Sequence, residues 1–103
     1  MTAYHEIQLD ALGDATRRAI LDRLRNGPLP VGKLAEGLPV SRPAISQHLR
    51  VLEQAMLVTH RAAGTRNLYE IDSTGIESLR EYLDSFWTQA LSAYKKRIEE
   101  TAE

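Results

Sequence analysis

The chain of 103 residues is 43% hydrophobic and 26% charged, with no cysteine and a formal net charge of −1. That length makes one domain, 1–103, and that composition makes it globular rather than disordered. Disulfides, thiolate metal sites and cysteine nucleophiles are excluded together, and no apolar run is long enough to span a membrane.

Tyr4 to Leu12 reads as a short helix with Ile7, Ala11 and Leu12 as its apolar residues, interrupted by Gly13. Met1 to Asp10 has neither the basic start nor the apolar stretch of a signal peptide, so a cytoplasmic location is expected. Asp14 is placed to cap a second helix. Ile20, Leu21 and Leu24 form that helix's buried stripe, and Arg17, Arg18, Asp22, Arg23 and Arg25 face outward. Asn26-Gly27-Pro28 ends it.

Val31 to Leu38 carries Val31, Leu34, Ala35 and Leu38 at helical spacing, and Pro39-Val40 make a turn. Ser41 then caps a longer helix, Arg42 to Gln54, whose Ile45, Leu49 and Leu52 recur at i, i+4 and i+7. A short helix, a tight turn and a second helix over residues 31–54 read as a helix-turn-helix. An ordinary helical hairpin in a small bundle is the alternative. Leu57 to Ala62 and Asn67 to Ile71 read as two strands, with Tyr69 and Ile71 on one face. They flank Ala63-Gly64-Thr65-Arg66, a turn whose glycine accepts positive φ. A hairpin at 57–71 directly after the second helix is the layout of a winged helix: mainly α, with a small β-hairpin wing.

Ser73 to Glu100 is the last and longest helix. Its apolar residues are Ile76, Leu79, Leu83, Phe86, Trp87, Ala90, Leu91, Tyr94 and Ile98, a stripe wider than one small domain needs. The simplest partner is the same helix of a second copy in a two-fold dimer. The expected interface is Leu79, Leu83, Phe86, Trp87, Ala90, Leu91 and Tyr94, with Ile7 of the first helix in the same layer. A helix lying across its own core is the alternative.

Charge is uneven along the chain. Residues 41–66 hold Arg42, Arg50, Arg61 and Arg66 against Glu53 alone, whereas residues 67–103 hold eight acids against four bases. Local charge is what a phosphate backbone meets, although a solvated face fits the same count.

Three segments in order resemble the ArsR/SmtB family of bacterial winged-helix repressors, over about residues 6 to 98. Leu12-Gly13-Asp14-Ala15-Thr16-Arg17-Arg18-Ala19-Ile20-Leu21 is similar to its opening segment, with Ala15 where proline is usual. Ser41-Arg42-Pro43-Ala44-Ile45-Ser46-Gln47-His48-Leu49 is similar to its recognition helix. Leu52-Glu53-Gln54-Ala55-Met56-Leu57-Val58 is similar to the exit into the wing, with Met56 where glycine is usual. The resemblance implies a dimeric, operator-binding repressor of its own or a neighbouring operon, of a kind often released by a metal ion.

The family's metal positions are not filled with donors here. Its Cys-x-Cys box falls at Pro30-Val31-Gly32, and its last-helix ligand pairs fall at Asp84, Phe86, Arg97 and Glu100. Two carboxylates without nitrogen or sulfur suit zinc poorly, and His5, His48 and His60 lie on separate elements. No metal and no cofactor are expected. The Phe86-Trp87 pair resembles the metal-independent branch, which includes Sdp-type autorepressors.

The second helix of a helix-turn-helix enters the major groove by its N-terminal end. Ile45, Leu49 and Leu52 point inward, so Pro43, Ser46, Gln47 and Arg50 lie opposite, with Arg42 beside them. Gln47 can pair with adenine N6 and N7, Ser46 with either base type, and Arg42 with guanine or a phosphate. Arg50, Arg61 and Arg66 are placed for phosphates, with the last two near the wing tip. His48, at the border of the two faces, either touches a phosphate or bonds within the fold. With Ser41 and Thr65, these residues complete the candidate contact set for a double-stranded, inverted-repeat operator.

Other classes leave weaker traces. A winged helix serving as a protein-contact module fits the near-neutral charge, but such a face should be more apolar. No phosphate-binding glycine loop or Ser/His/Asp set points to an enzyme. Tyr82, Phe86, Trp87 and Tyr94 in the dimer layer are placed for a small organic inducer, or simply for packing.

Overall fold

Capping side chains set where the helices begin in the computed structural model, which describes residues 2–102. Helix α1 (Thr2–Leu12) stops at Gly13. Asp14, in extended backbone, accepts a hydrogen bond from the Arg17 N–H at 3.1 Å and opens α2 (Ala15–Arg23). Ala15 is thus the first helical residue, a place where proline fits because its missing N–H would have no partner. A 3-10 turn at Leu24–Asn26 and Gly27 lead into strand β1 (Leu29–Pro30) and the single-turn α3 (Val31–Ala35). Ser41 Oγ accepts from the Ala44 N–H at 3.3 Å and opens α4 (Arg42–Gln54). Strands β2 (Val58–Ala63) and β3 (Arg66–Ile71) pair antiparallel around Gly64 and Thr65, with Gly64 at φ 66°. The Asp72 carboxylate accepts from the N–H groups of Thr74 and Gly75 at 3.1 and 3.3 Å and opens α5 (Ser73–Ala102).

The expected winged helix is present, with three differences of detail. The wing is part of a three-stranded sheet of order β1-β3-β2, in which Leu29 pairs with Tyr69 and Pro30 with Leu68. Two residues are too short for alternation to show, and proline is tolerated only because this strand is an edge. Helix α3 ends at Ala35 rather than Leu38, because Glu36 turns to extended backbone and Gly37 takes φ 80°. Arg17 does not simply face outward. Its guanidinium donates to the carbonyls of Ala11 at 2.6 Å and Asp10 at 3.5 Å, and Arg18 donates to Leu12 at 2.7 Å. These bonds satisfy carbonyls that the end of α1 leaves without helical partners.

The core lies between α2, α3 and α4 and the base of the sheet. Ile20, Leu24, Leu34, Ile45, Leu49, Leu52, Leu57, Val58 and Leu79 are buried. Each such side chain contributes about 1.5–3 kcal/mol on burial. A helix as short as α3 has no stability of its own, so Leu34 packed on α4 holds it in place.

A second, polar fastening joins α1 to the ends of α4 and α5. Gln8 is fully buried, and its Nε2 donates to the Ala55 carbonyl at 3.2 Å and the Gly75 carbonyl at 3.1 Å. Met56 turns the chain between α4 and β2 at φ 59°, the left-handed conformation that explains why glycine would be the easier residue there. Gly75 packs so closely on this turn that a Cβ would overlap the Met56 carbonyl.

Helix α5 leaves the domain after one side has been buried. Leu79 is 6% exposed, but every residue from Leu83 to Thr101 is exposed. That outer segment runs for about 28 Å at 1.5 Å per residue and gives the molecule its 67 Å long axis against 26 and 25 Å. No described helix is long and apolar enough to cross a membrane.

Two substitutions test the turn. Gly75→Ala should cost about 3 kcal/mol, at the upper end of overpacking effects. Met56→Gly should gain up to about 1 kcal/mol, since relief of left-handed strain exceeds the entropy that glycine adds to the unfolded chain. Urea denaturation of both variants checks this, and a destabilised Met56→Gly would show that its side chain, not its backbone, matters.

Candidate nucleic-acid interface

Helix α4 is the most amphipathic part of the chain, and the fold leaves its polar side open. Ile45, Leu49 and Leu52 are buried as expected, while Ser41, Arg42, Pro43, Gln47 and Arg50 are exposed and Ser46 is half-buried. The hairpin stands beside it. Arg66 and Thr65 are exposed at the tip. Arg61 is not near the tip: it lies mid-strand opposite Leu68, its Nε 3.5 Å from Glu70 Oε1. An exposed ion pair of this kind holds the side chain weakly.

Between α3 and the wing tip opens a cleft of about 530 Å³ lined in part by Lys33, Arg42, Thr65, Arg66 and Asn67. The arginine at the start of α4 and the arginine of the wing thus line one cleft, which Glu36 also lines, 3.5 Å from Lys33. Lys33 and Asn67 had no signal in the sequence, because only the return of β3 alongside β1 brings the wing over α3.

His48 bonds within the fold. Arg17 Nη1 lies 3.3 Å from its Nδ1. A guanidinium only donates, so Nδ1 is the acceptor and the ring carries its proton on Nε2. Arg17 therefore links α1, α2 and the recognition helix, and it sets the tautomer of a residue on the rim of the polar face. The same cluster acts on Asp14, whose carboxyl is held below its ordinary value of 3.8 by the Arg17 N–H, with the Arg17 guanidinium charge adding and desolvation opposing. At the far end of α4, His60 Nδ1 of β2 donates to Glu53 at 2.6 Å, and the ring lies 5.1 Å from that of Tyr69. Burial and the nearby Glu53 raise the Tyr69 phenol, with Arg50 opposing. Helix and wing are thus joined by a short polar contact rather than by packing alone.

The second candidate surface divides. Leu83, Ala90, Leu91 and Tyr94 of α5 are exposed, as are Phe86 at 63% and Trp87 at 64%, and Ile7 of α1 is 53% exposed. Leu79 instead belongs to the chain's own core and has little surface for a partner. Tyr82 is also occupied within the chain: it stacks on His5 at 4.4 Å, and His5 Nε2 lies 3.4 Å from Ser78 Oγ. Among the described residues, no three His, Cys, Asp or Glu side chains gather around a possible metal position. Asp84 lies 3.7 Å from Arg80, and the three histidines face Ser78, Arg17 and Glu53. This donor set does not fit a transition-metal centre.

An amphipathic helix exposed after a tight turn, with a basic hairpin beside it, defines a winged helix-turn-helix domain. A family model described as a helix-turn-helix domain matches residues 12–61. The chain is 60% identical over 89 residues to the HTH-type transcriptional regulator Rv2034 of Mycobacterium tuberculosis, covering 86% of this chain and 83% of the relative. It is 34% identical over 76 residues to the transcriptional repressor SdpR of Bacillus subtilis, covering 74% and 84%. It superposes on the homodimeric winged helix-turn-helix DNA-binding domain of Mb0332 from Mycobacterium bovis, a possible ArsR-family regulator. That match has a TM-score of 0.65 and 27% identity, covering 87% of this chain and 81% of the other. The chain belongs to the ArsR family of transcriptional regulators.

The Asp14 charge has a testable sign. A carboxyl lowered in the folded state adds stability above its unfolded value and loses it as pH falls through the native one. Asp14→Asn keeps a capping oxygen and removes the charge. Its Tm should fall below wild type at pH 7 and converge with it as pH falls through the lowered native value. A deficit that stays equal as pH falls would assign the effect to cap geometry.

Proposed function

We propose that two copies pair through the outer half of α5 and the exposed side of α1, giving a two-fold dimer that binds an inverted-repeat operator and represses its own or a neighbouring operon. The observation that carries this reading is the unsupported α5 segment. Leu83, Phe86, Trp87, Leu91, Tyr94 and Ile98 are all large, apolar and exposed, on a helix whose residues from Leu83 to Thr101 are all exposed. Most helical stability in proteins comes from packing an amphipathic face against a neighbour, and six such side chains form a larger apolar patch than a monomer normally exposes. The homodimeric Mb0332 domain and the repressor SdpR support the assembly and the sign of regulation.

In a dimer the two α4 helices present Ser46, Gln47 and Arg42 to successive major grooves about one helical turn apart, or a multiple of it. Arg66, Thr65 and Lys33 meet the phosphate backbone beside them, with Arg61 and the His48 Nε2–H further along. A bound dimer excludes polymerase by occupying the promoter. The repressor works without a metal, since of the positions that would ligate one Pro30, Gly32, Phe86 and Arg97 offer no donor, and Asp84 and Glu100 offer only carboxylates.

Sedimentation should find wild type as a dimer and Trp87→Glu as a monomer that keeps its cooperative core unfolding, loses part of its helix content along α5 and loses operator binding. Fluorescence anisotropy with DNA from the upstream region, against a scrambled control, should show preference for the upstream DNA that weakens steeply with salt. Arg66→Ala should reduce the salt slope by about 1 per protomer while leaving sequence preference intact. A monomeric wild type, or no binding to any DNA at low salt, would instead favour a protein-contact module.

A further inference from the structure

Gln47 and Arg50 lie one turn apart on the open face of α4, and Arg50 Nη1 donates to Gln47 Oε1 at 2.7 Å. Because a guanidinium has donors only, the amide can meet it only through its oxygen. The amide orientation is thereby fixed, and Nε2–H₂ is the group left unengaged. To read adenine, a glutamine must use both ends at once, accepting from N6 and donating to N7. A charge-assisted bond takes one of that oxygen's two lone pairs and sets a guanidinium charge beside the other, which disfavours a second donor such as adenine N6, so Gln47 offers chiefly a donor edge. Guanine presents O6 and N7, two acceptors side by side, to such an edge. Adenine places its N6 amino group against it.

We propose that Arg50 is a positioning residue that turns Gln47 from an adenine reader into a guanine reader. This rests on α4 lying in the major groove, as in the function proposed above. It also changes the part expected of Arg50 from the sequence: the side chain works on a neighbouring base reader instead of reaching for a phosphate. A pair spaced i, i+3 is weak in water, and it tightens where a groove excludes water and lowers the local dielectric.

Selection from random duplexes tests this with wild type, Gln47→Ala and Arg50→Met, the last keeping an unbranched stem without donors. Gln47→Ala identifies the operator position that Gln47 reads, as the one whose preference disappears. Wild type should select guanine there by about five- to 150-fold over adenine, the range of one good bidentate contact. Arg50→Met should move that position toward adenine and leave the others unchanged. Adenine in wild type, guanine retained in Arg50→Met, or no position sensitive to Gln47→Ala would each overturn the proposal while leaving α4 as the reading helix. A wild type that enriches no motif would overturn the reading of α4 itself, and the proposal with it. Arg50 is exposed, so equal thermal melts of the variants show that the shift is not a folding defect.

Discussion

One buried amide holds together parts of the chain that are far apart in sequence. Gln8 comes from the first helix, yet its Nε2 donates to the last residue before the α4–β2 turn and to the first turn of α5. Around it Gly75 presses against the Met56 carbonyl with no room for a side chain. The exit of the recognition helix, the root of the wing and the base of α5 are therefore set by a single contact cluster. The fastening is incomplete, because Gln8 Oε1 is buried without a partner, which costs on the order of 1–3 kcal/mol. The apolar core tolerates that cost because its Leu and Ile side chains contribute several times as much.

The main helices and the wing were legible because their signals are local. Asp14 and Ser41 stand where caps stand, the α4 stripe keeps helical spacing, and Gly64 marks the hairpin turn. What escaped was non-local. The strand at Leu29–Pro30 exists only because β3 passes beside it, and the shortened α3 depends on how Glu36 and Gly37 leave the helix. Gly75 carries no signal of its own, since nothing in the neighbouring sequence announces the Met56 carbonyl. Leu79 shared the spacing of the exposed α5 stripe, and spacing alone could not show that the core takes the first turns of that helix and releases the rest.

The candidate site followed the same division. The residue types of the polar α4 face were legible from the positions of Ile45, Leu49 and Leu52, which fix the opposite side. Their partners were not. Arg17 reaches His48 from another helix, Glu53 reaches His60 across to the wing, and Lys33 joins Arg42 and Arg66 only through sheet topology. The charge pattern also acquires a physical arrangement. Arg42, Arg50, Arg61 and Arg66 stand on α4 and the wing, while α5 carries acids and bases in nearly equal number, so the positive charge of the near-neutral chain is concentrated on one face. Such a face orients the molecule before any base is touched.

The projecting half of α5 bears on how sharply the protein responds to its own abundance. If that segment is ordered only when paired, folding, pairing and operator occupancy become one concentration-linked equilibrium. Below the pairing constant, occupancy climbs with the square of chain concentration rather than in proportion to it. Feedback on its own synthesis would then be slack while the protein is scarce and firm once it accumulates. Under the proposed function, a threshold would then arise from helix length and six apolar side chains.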